Sequence, residues 1–249
     1  MINEVRNTVL SILNKNNNGY LTPEEFNLFA NQAQLEVFEG YFFSLANWKK
    51  KQNQRMSGEN YADIVKEMEE VLDIFTVSSS LTHVATGQFT LPNDWYTLLK
   101  MEVVKTGPPK TYTEIERVAQ AKIGRLLSSN LTAPNATYPA YVVGPAPISS
   151  PVSNTANTAQ VYPESITSDV LLTYVRYPKT PAWTYNAIGA DGDPVFNPSS
   201  ASYQDFELPL SDAIDITIKI CEYAGISIRE QAVVNFEKSE EILNLKTES

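Results

Sequence analysis

Residues 22–48, TPEEFNLFANQAQLEVFEGYFFSLANW, decide how the chain is read. Thr22 stands where a helix cap belongs, Pro23 takes the first helical position, and Glu25 completes a capping box with Thr22. Beyond them Phe26, Phe29, Ala33, Val37, Tyr41, Leu45 and Trp48 fall on one stripe over about seven turns, which is long for a globular helix. Upstream, Val5, Val9, Ile12 and Leu13 keep helical spacing until the run Asn14 to Gly19 breaks it. Downstream, Tyr61, Ile64, Met68, Val71 and Phe75 predict a third helix over about Glu59 to Phe75.

The texture changes from Thr76 to Gln204. Phe89-Thr90-Leu91-Pro92 and Leu98 to Val104 read as strands around a Pro-Asn-Asp turn, and Val170 to Tyr177 as another. One helix is expected at about Glu114 to Leu127, with Ile115, Val118, Ala119, Ile123 and Leu126 facing inward. Between Pro134 and Pro209 lie 11 of the 15 prolines, which predicts edge strands and extended loops there in place of a central sheet. Ser149 to Gln160 is a Ser/Thr/Asn/Ala string without periodicity and reads as a mobile or extended loop. Helical spacing returns at Leu210, Ala213, Ile214, Thr217, Ile220, Cys221 and Ala224. Gly225 interrupts it, and Ala232, Val233, Phe236, Ile242 and Leu243 suggest a second helix.

The expected fold class is α+β, one structural unit in which N- and C-terminal helices pack as a helical bundle around an inserted β-rich, sheet- or barrel-like region with extended loops. Residues 1–76 form its N-terminal helical part. Residues 77–204 form the insert, with the helix near 114–127 and the long loop near 149–160. Residues 205–249 supply the C-terminal helices that pack on the N-terminal part.

With 43% hydrophobic and 19% charged residues among 249, the chain is expected to be globular and large enough to bury a core without staples. No stretch approaches 18 uninterrupted apolar residues and Met1 to Leu10 are polar in pattern, so neither a membrane span nor an export signal is expected. The single cysteine, Cys221, forbids an internal disulfide, and the single histidine, His83, leaves the common catalytic triads and histidine metal sites short of residues. The net charge of −10 arises from 29 acidic and 19 basic residues. Asp205 to Ser249 carry −6 of it, with 10 acids and 4 bases. That sign opposes tight binding to nucleic-acid phosphate, yet suits a wall past which DNA slides without sticking.

Several motifs have both a chemical and a structural reading. Asn14, Asn16 and Asn18, with Gly19, Leu21 and Glu25, match the spacing of an EF-hand loop, and residues 14–25 offer the alternative of a calcium-binding interaction module. Three of its ligand positions are neutral amides, and an Asn-rich turn followed by the Thr22 cap accounts for the same residues without a metal. Lys49, Lys50 and Lys51 with Arg55 form the basic cluster. They would suit a phosphate or acidic partner, but favourable charge at a helix C-terminus explains them more simply. Asp191 and Asp193, the carboxylates a hydrolase would need, sit in a turn-forming Gly-Ala-Asp-Gly-Asp-Pro run. His83 reads as a surface or satisfied residue and Cys221 as core packing. No phosphate-binding glycine motif occurs, so no catalytic residue and no cofactor is expected.

The order of elements, with Phe89-Thr-Leu-Pro-Asn-Asp-Trp95, Leu171-Leu-Thr-Tyr-Val-Arg-Tyr-Pro178 and Phe206-Glu-Leu-Pro-Leu210, resembles the head-to-tail connector (adaptor, or neck-ring) proteins of tailed bacteriophages. Tyr20-Leu-Thr-Pro-Glu-Glu-Phe-Asn27 continuing to Ala33-Gln-Leu-Glu-Val-Phe38 resembles, in particular, ring proteins of crAss-like phages of gut Bacteroides. The resemblance covers most of the chain. It implies a virion protein of the head-tail junction, assembled in the host bacterial cytoplasm as a homo-oligomeric ring, usually of twelve copies. Such a ring joins the portal to further neck or tail rings, extends the channel for genomic DNA without reading its sequence, and carries no enzyme activity. The candidate contact residues are Lys49, Lys50, Lys51 and Arg55 and, in the acidic segment, Asp212, Asp215, Glu237, Glu240 and Glu241.

Overall fold

The computed structural model describes residues 1–13, 21–53, 64–105, 107–144, 157–188 and 193–227. Its elements are α1 (Ile2–Leu13), α2 (Pro23–Asn53), α3 (Ile64–Asp73), β1 (Thr76–Ser80), β2 (Thr82–Ala85), β3 (Gln88–Thr90), β4 (Trp95–Lys105), β5 (Thr111–Glu114), β6 (Glu116–Arg117), α4 (Gln120–Leu127), β7 (Ala140–Val143), β8 (Thr158–Tyr162), β9 (Val170–Arg176), β10 (Tyr185–Ile188), β11 (Asp193–Phe196) and α5 (Ala213–Ser227). They divide between two compact units, Leu72–Tyr177 and the combination of Met1–Val71 with Pro178–Ser249.

The Leu72–Tyr177 unit is a sandwich. One sheet runs β1-β9-β4-β5, antiparallel throughout, and the other β2-β3-β8-β7-β6, with only β6 and β7 parallel. Alternation along each strand sends every second side chain inward. Met101, Val170, Leu172 and Tyr174 of the first sheet thereby meet Phe89, Tyr141, Ala159 and Val161 of the second in one apolar core. Helix α4 closes a smaller cluster in which Ile123 packs with Val142 and Tyr162.

Two expectations fail within this unit. Thr158, Ala159 and Gln160, expected in an extended loop, belong to β8, the middle strand of the five-stranded sheet, and are buried. The prolines do not forbid this, because Pro139 precedes β7 and Pro163 follows β8, outside the ladder. Gln160 is accommodated because its side-chain amide donates to the Thr86 carbonyl at 3.0 Å. Gly87, at φ +65, lets the chain pass there, since a Cβ would lie 2.6 Å from both Gln160 Nε2 and the Val161 carbonyl oxygen. The helix expected from Glu114 is shorter and begins at Gln120. Ile115, on the expected helix face, instead faces the sandwich core while its N–H donates to the Met101 carbonyl at 2.8 Å, so sheet pairing captures this stretch.

In the other unit α5 packs against both α1 and α2. Phe26, Ala30, Ala33 and Phe38 of α2 are buried, as are Ile216, Ile220, Cys221 and Ala224 of α5. Leu210 and Ile214, expected on the inward stripe, are 73% and 69% exposed, and Ile216 takes the inward place. On the buried side of α2 lie two amides seven residues apart, Asn27 and Gln34. Asn27 donates to the Trp183 carbonyl at 3.1 Å and accepts its N–H at 2.8 Å. Gln34, wholly buried, donates to the Lys179 carbonyl and accepts from the Glu207 N–H. Helix α2 is thus covered partly by extended chain, whose backbone groups these amides satisfy.

The expected helical bundle bracketing one β-rich insert is therefore corrected. Among the described residues the protein is a mixed α and β fold, mostly β-rich, with five α-helices and eleven strands in three sheets. The helices share their unit with the β10–β11 hairpin and the chain around Trp183. The physical reason is the polar content of α2's inner face: amides there require backbone partners that another helix, already hydrogen-bonded to itself, does not offer.

Candidate interaction surfaces

Glu25 opens α2 as a cap. Its carboxylate accepts from the Thr22 N–H at 3.0 Å and the Thr22 hydroxyl at 2.8 Å, and Thr22 Oγ1 accepts the Glu25 N–H at 3.2 Å. These bonds, the backbone one foremost, hold its pKa below the ordinary carboxylate value. Asn14, Asn16 and Asn18 lie outside the described residues, as do Arg55, Glu237, Glu240, Glu241 and Asp191. Lys49, Lys50 and Lys51 ride the last turns of α2 and Asp193 begins β11, with side chains outside the described set. Among the described residues no group of three or more His, Cys, Asp or Glu side chains is arranged to hold a metal ion. No helix among them is long and apolar enough to cross a membrane.

The two described acidic candidates differ in setting. Asp212 is 6% exposed and accepts from the Tyr41 hydroxyl at 2.6 Å and Ser211 Oγ at 3.1 Å, tying the start of α5 to α2. Asp215 is exposed in the first turn of α5, where a negative charge favours the helix dipole. Cys221 is fully buried. His83 lies in β2 with its ring edge-to-face on Phe89, and its buried Nε2 has no hydrogen-bond partner among the described residues.

A second tie between α2 and α5 centres on Glu36, which accepts from Lys219 Nζ at 2.8 Å and the Tyr223 hydroxyl at 2.5 Å. Burial pushes the Glu36 carboxyl up, but those two donors outweigh it and leave the pKa below the ordinary value. Burial first, then the bond to Glu36, pushes Tyr223 from 10.0 up to about 12. The folded state therefore favours the neutral phenol. Its contribution to stability is complete below pH 10 and disappears as the pH rises to about 12. Equilibrium unfolding across that window should show a decline that Tyr223→Phe flattens.

Charge divides sharply between the units. Leu72–Tyr177 contains 7 acids and 7 bases, leaving 22 acids and 12 bases in the other unit, which carries the whole −10. The neutral sandwich nevertheless exposes large apolar side chains, among them Leu131 at 94% and Tyr138 at 77%, with Tyr112 on β5.

Across the outer face of the four-stranded sheet the register sets Ser80, Leu171, Glu102 and Glu114 in one row. Lys100 Nζ sits 2.6 Å from Glu102, offsetting the two facing carboxylates, and its pKa is raised chiefly by that hydrogen bond. Lys100→Ala should lower the midpoint of thermal unfolding, because Glu102 and Glu114 then repel across β4 and β5. The loss should shrink at about 1 M salt, where the Debye length is about 3 Å.

The structure adds residues that sequence reading passed over: Trp183 with its amide and aromatic partners, and the sheet-edge positions Ser78, Ser80 and Tyr112. The β-branched pair Thr76-Val77 ahead of three serines was the available signal, too weak to separate a strand from a loop. No known protein-family model matches the chain, and no curated protein matches its sequence.

Proposed function

We propose that the chain is a structural virion protein of a tailed-phage head-to-tail connector, one protomer of a ring that joins portal to tail and continues the DNA channel. The partition of charge supports this reading most directly: a unit carrying −10 is joined to a neutral β sandwich. An acidic lining repels phosphate and lets DNA pass without adhering, whereas a neutral surface with exposed Leu131, Tyr138 and Tyr112 can meet other subunits without like-charge repulsion. The ring works by fixed contacts and carries out no catalysis; its other partners are the portal and the adjacent neck or tail rings.

Assembly is the test. Full-length protein mixed with portal should give closed rings in cryo-electron microscopy and one ring mass, usually twelve copies, in native mass spectrometry. Protein that never forms or joins a ring overturns the proposal. In parallel, it should pass over immobilised duplex DNA without retention at about 50 mM salt.

A further inference from the structure

The ladder bonds reveal which backbone groups each sheet edge turns outward. At β1, the Arg176 N–H donates to the Phe75 carbonyl and the Leu81 N–H to the Val170 carbonyl. Antiparallel pairing alternates, so the odd residues 75 to 81 bond β9, while Thr76, Ser78 and Ser80 turn N–H and C=O away from it. At β5, the Ile115 N–H donates to the Met101 carbonyl, so residues 111, 113 and 115 face β4 while Tyr112 and Glu114 turn outward. Among the described residues no strand lies beyond either edge.

Sheet edges are ordinarily blunted by charge, proline, bulges or shortness. Strand β2 has an irregular register between His83 and Ala85, β6 is two residues long and both are charged, and β11 contains Pro194. Strand β1, Thr-Val-Ser-Ser-Ser, has none of these and pairs regularly over all five residues. Strand β5 is regular over four residues. Because all four strands of the sheet alternate in direction, β1 and β5 run oppositely. Repeating the sheet sideways sets β5 of one copy antiparallel to β1 of the next. Parity agrees as well: Ser78 and Ser80 share an outer face with Tyr112 and Glu114, whereas Ser79 and Thr113 share the inner one.

We infer that β1 of each copy pairs antiparallel with β5 of its neighbour, so that the four-stranded sheet continues from subunit to subunit. This rests on the ring proposal and deepens it. Two different edges meet, so the contact is heterologous and propagates; rotation closes it into a ring.

The test is a short bis-maleimide crosslink in the full-length chain assembled with portal, using Ser79→Cys and Thr113→Cys together in a Cys221→Ser background. Facing inner-side positions lie about 4.5–5.5 Å apart at Cβ in such a pair. The double variant should give a ladder of covalent multimers, and each single variant only monomer. Rings by native mass spectrometry without a ladder overturn the inference and leave the ring proposal standing. Efficient dimers from Ser79→Cys alone overturn it in favour of β1 pairing with β1, and absence of any ring from the uncrosslinked wild type fails the ring proposal itself. Ser78→Pro supplies an independent readout, because its N–H points outward and its loss leaves the ladder to β9 intact. It should fold with a thermal midpoint close to that of Ser78→Ala, which loses the same 3.0 Å hydroxyl bond to Thr173, and unlike Ser78→Ala it should lose the ring; a Ser78→Pro protein that folds and still forms rings overturns the inference.

Discussion

Trp183→Ala is expected to destabilise its unit by about 3–5 kcal/mol, the range for deleting a buried large aromatic side chain. Trp183 is 2% exposed. Its ring stacks on Tyr185 at 5.7 Å and on Phe196 at 5.9 Å, Arg6 Cζ lies 3.8 Å from the ring centroid, and its indole N–H donates to Asn3 Oδ1 at 3.0 Å. The side chain therefore joins α1 to the β10–β11 hairpin, while the residue's backbone is held to α2 by Asn27. Hydrogen exchange should report the loss as faster exchange of amides in α1, α2 and α5, with those of β4, β8 and β9 protected as in the wild type. Trp183→Phe, which keeps a ring but not the indole donor, should retain most of the stability; loss as large as with alanine would show that stacking is not what holds the site.

Leu172→Ala should remove about 2–5 kcal/mol from the other unit. Leu172 is wholly buried at the centre of the sandwich, in line with Ser79 on β1 and Met101 on β4. Its truncation leaves a void between two sheets that twist and pack as wholes and have little freedom to collapse around it. Denaturant unfolding measures the loss, and exchange should now rise in β4, β8 and β9 with the helical amides unchanged. Since the two side chains lie in different compact units, the double variant should show the sum of the two losses. A departure from that sum well beyond about 0.5 kcal/mol would mean that the two sites are energetically coupled.

Local features were legible in the sequence. Thr22 and Glu25 form the capping box that their spacing predicts, because the bond closes over three residues and depends on nothing distant. The same holds for the buried Phe26 and Ala33, and for β9. Legibility ends where a residue's partner is remote. Asn27 and Gln34 resemble solvent-facing amides on a helix, yet their partners in the Lys179–Glu207 stretch lie 145 to 173 residues away. Thr158 to Gln160 lacks the apolar alternation that announces a strand, since its burial depends on Ala159 being small and on Thr86 receiving the Gln160 amide. Leu210 and Ile214 carry helical spacing that the fold leaves facing out. The candidate contacts divide similarly: Asp215 is exposed as its position suggests, while Asp212 is enclosed by a tyrosine 171 residues away.

By itself, then, the sequence determined the first turn of α2, the long helix after it, the scarcity of histidine and cysteine, and a net charge of −10. These depend on neighbours along the chain or on composition alone. The tertiary structure decided that the chain leaves its first unit at Val71 and returns at Pro178, which confines all ten net charges to one unit and leaves the sandwich neutral. It also decided that Thr76–Ser80 and Thr111–Glu114 stand at opposite edges of one sheet with outward-facing backbone groups. Which strand becomes an edge is settled by the register of segments far apart in sequence, and hydrophobic periodicity reports only which face of a strand is buried, not what lies beside it.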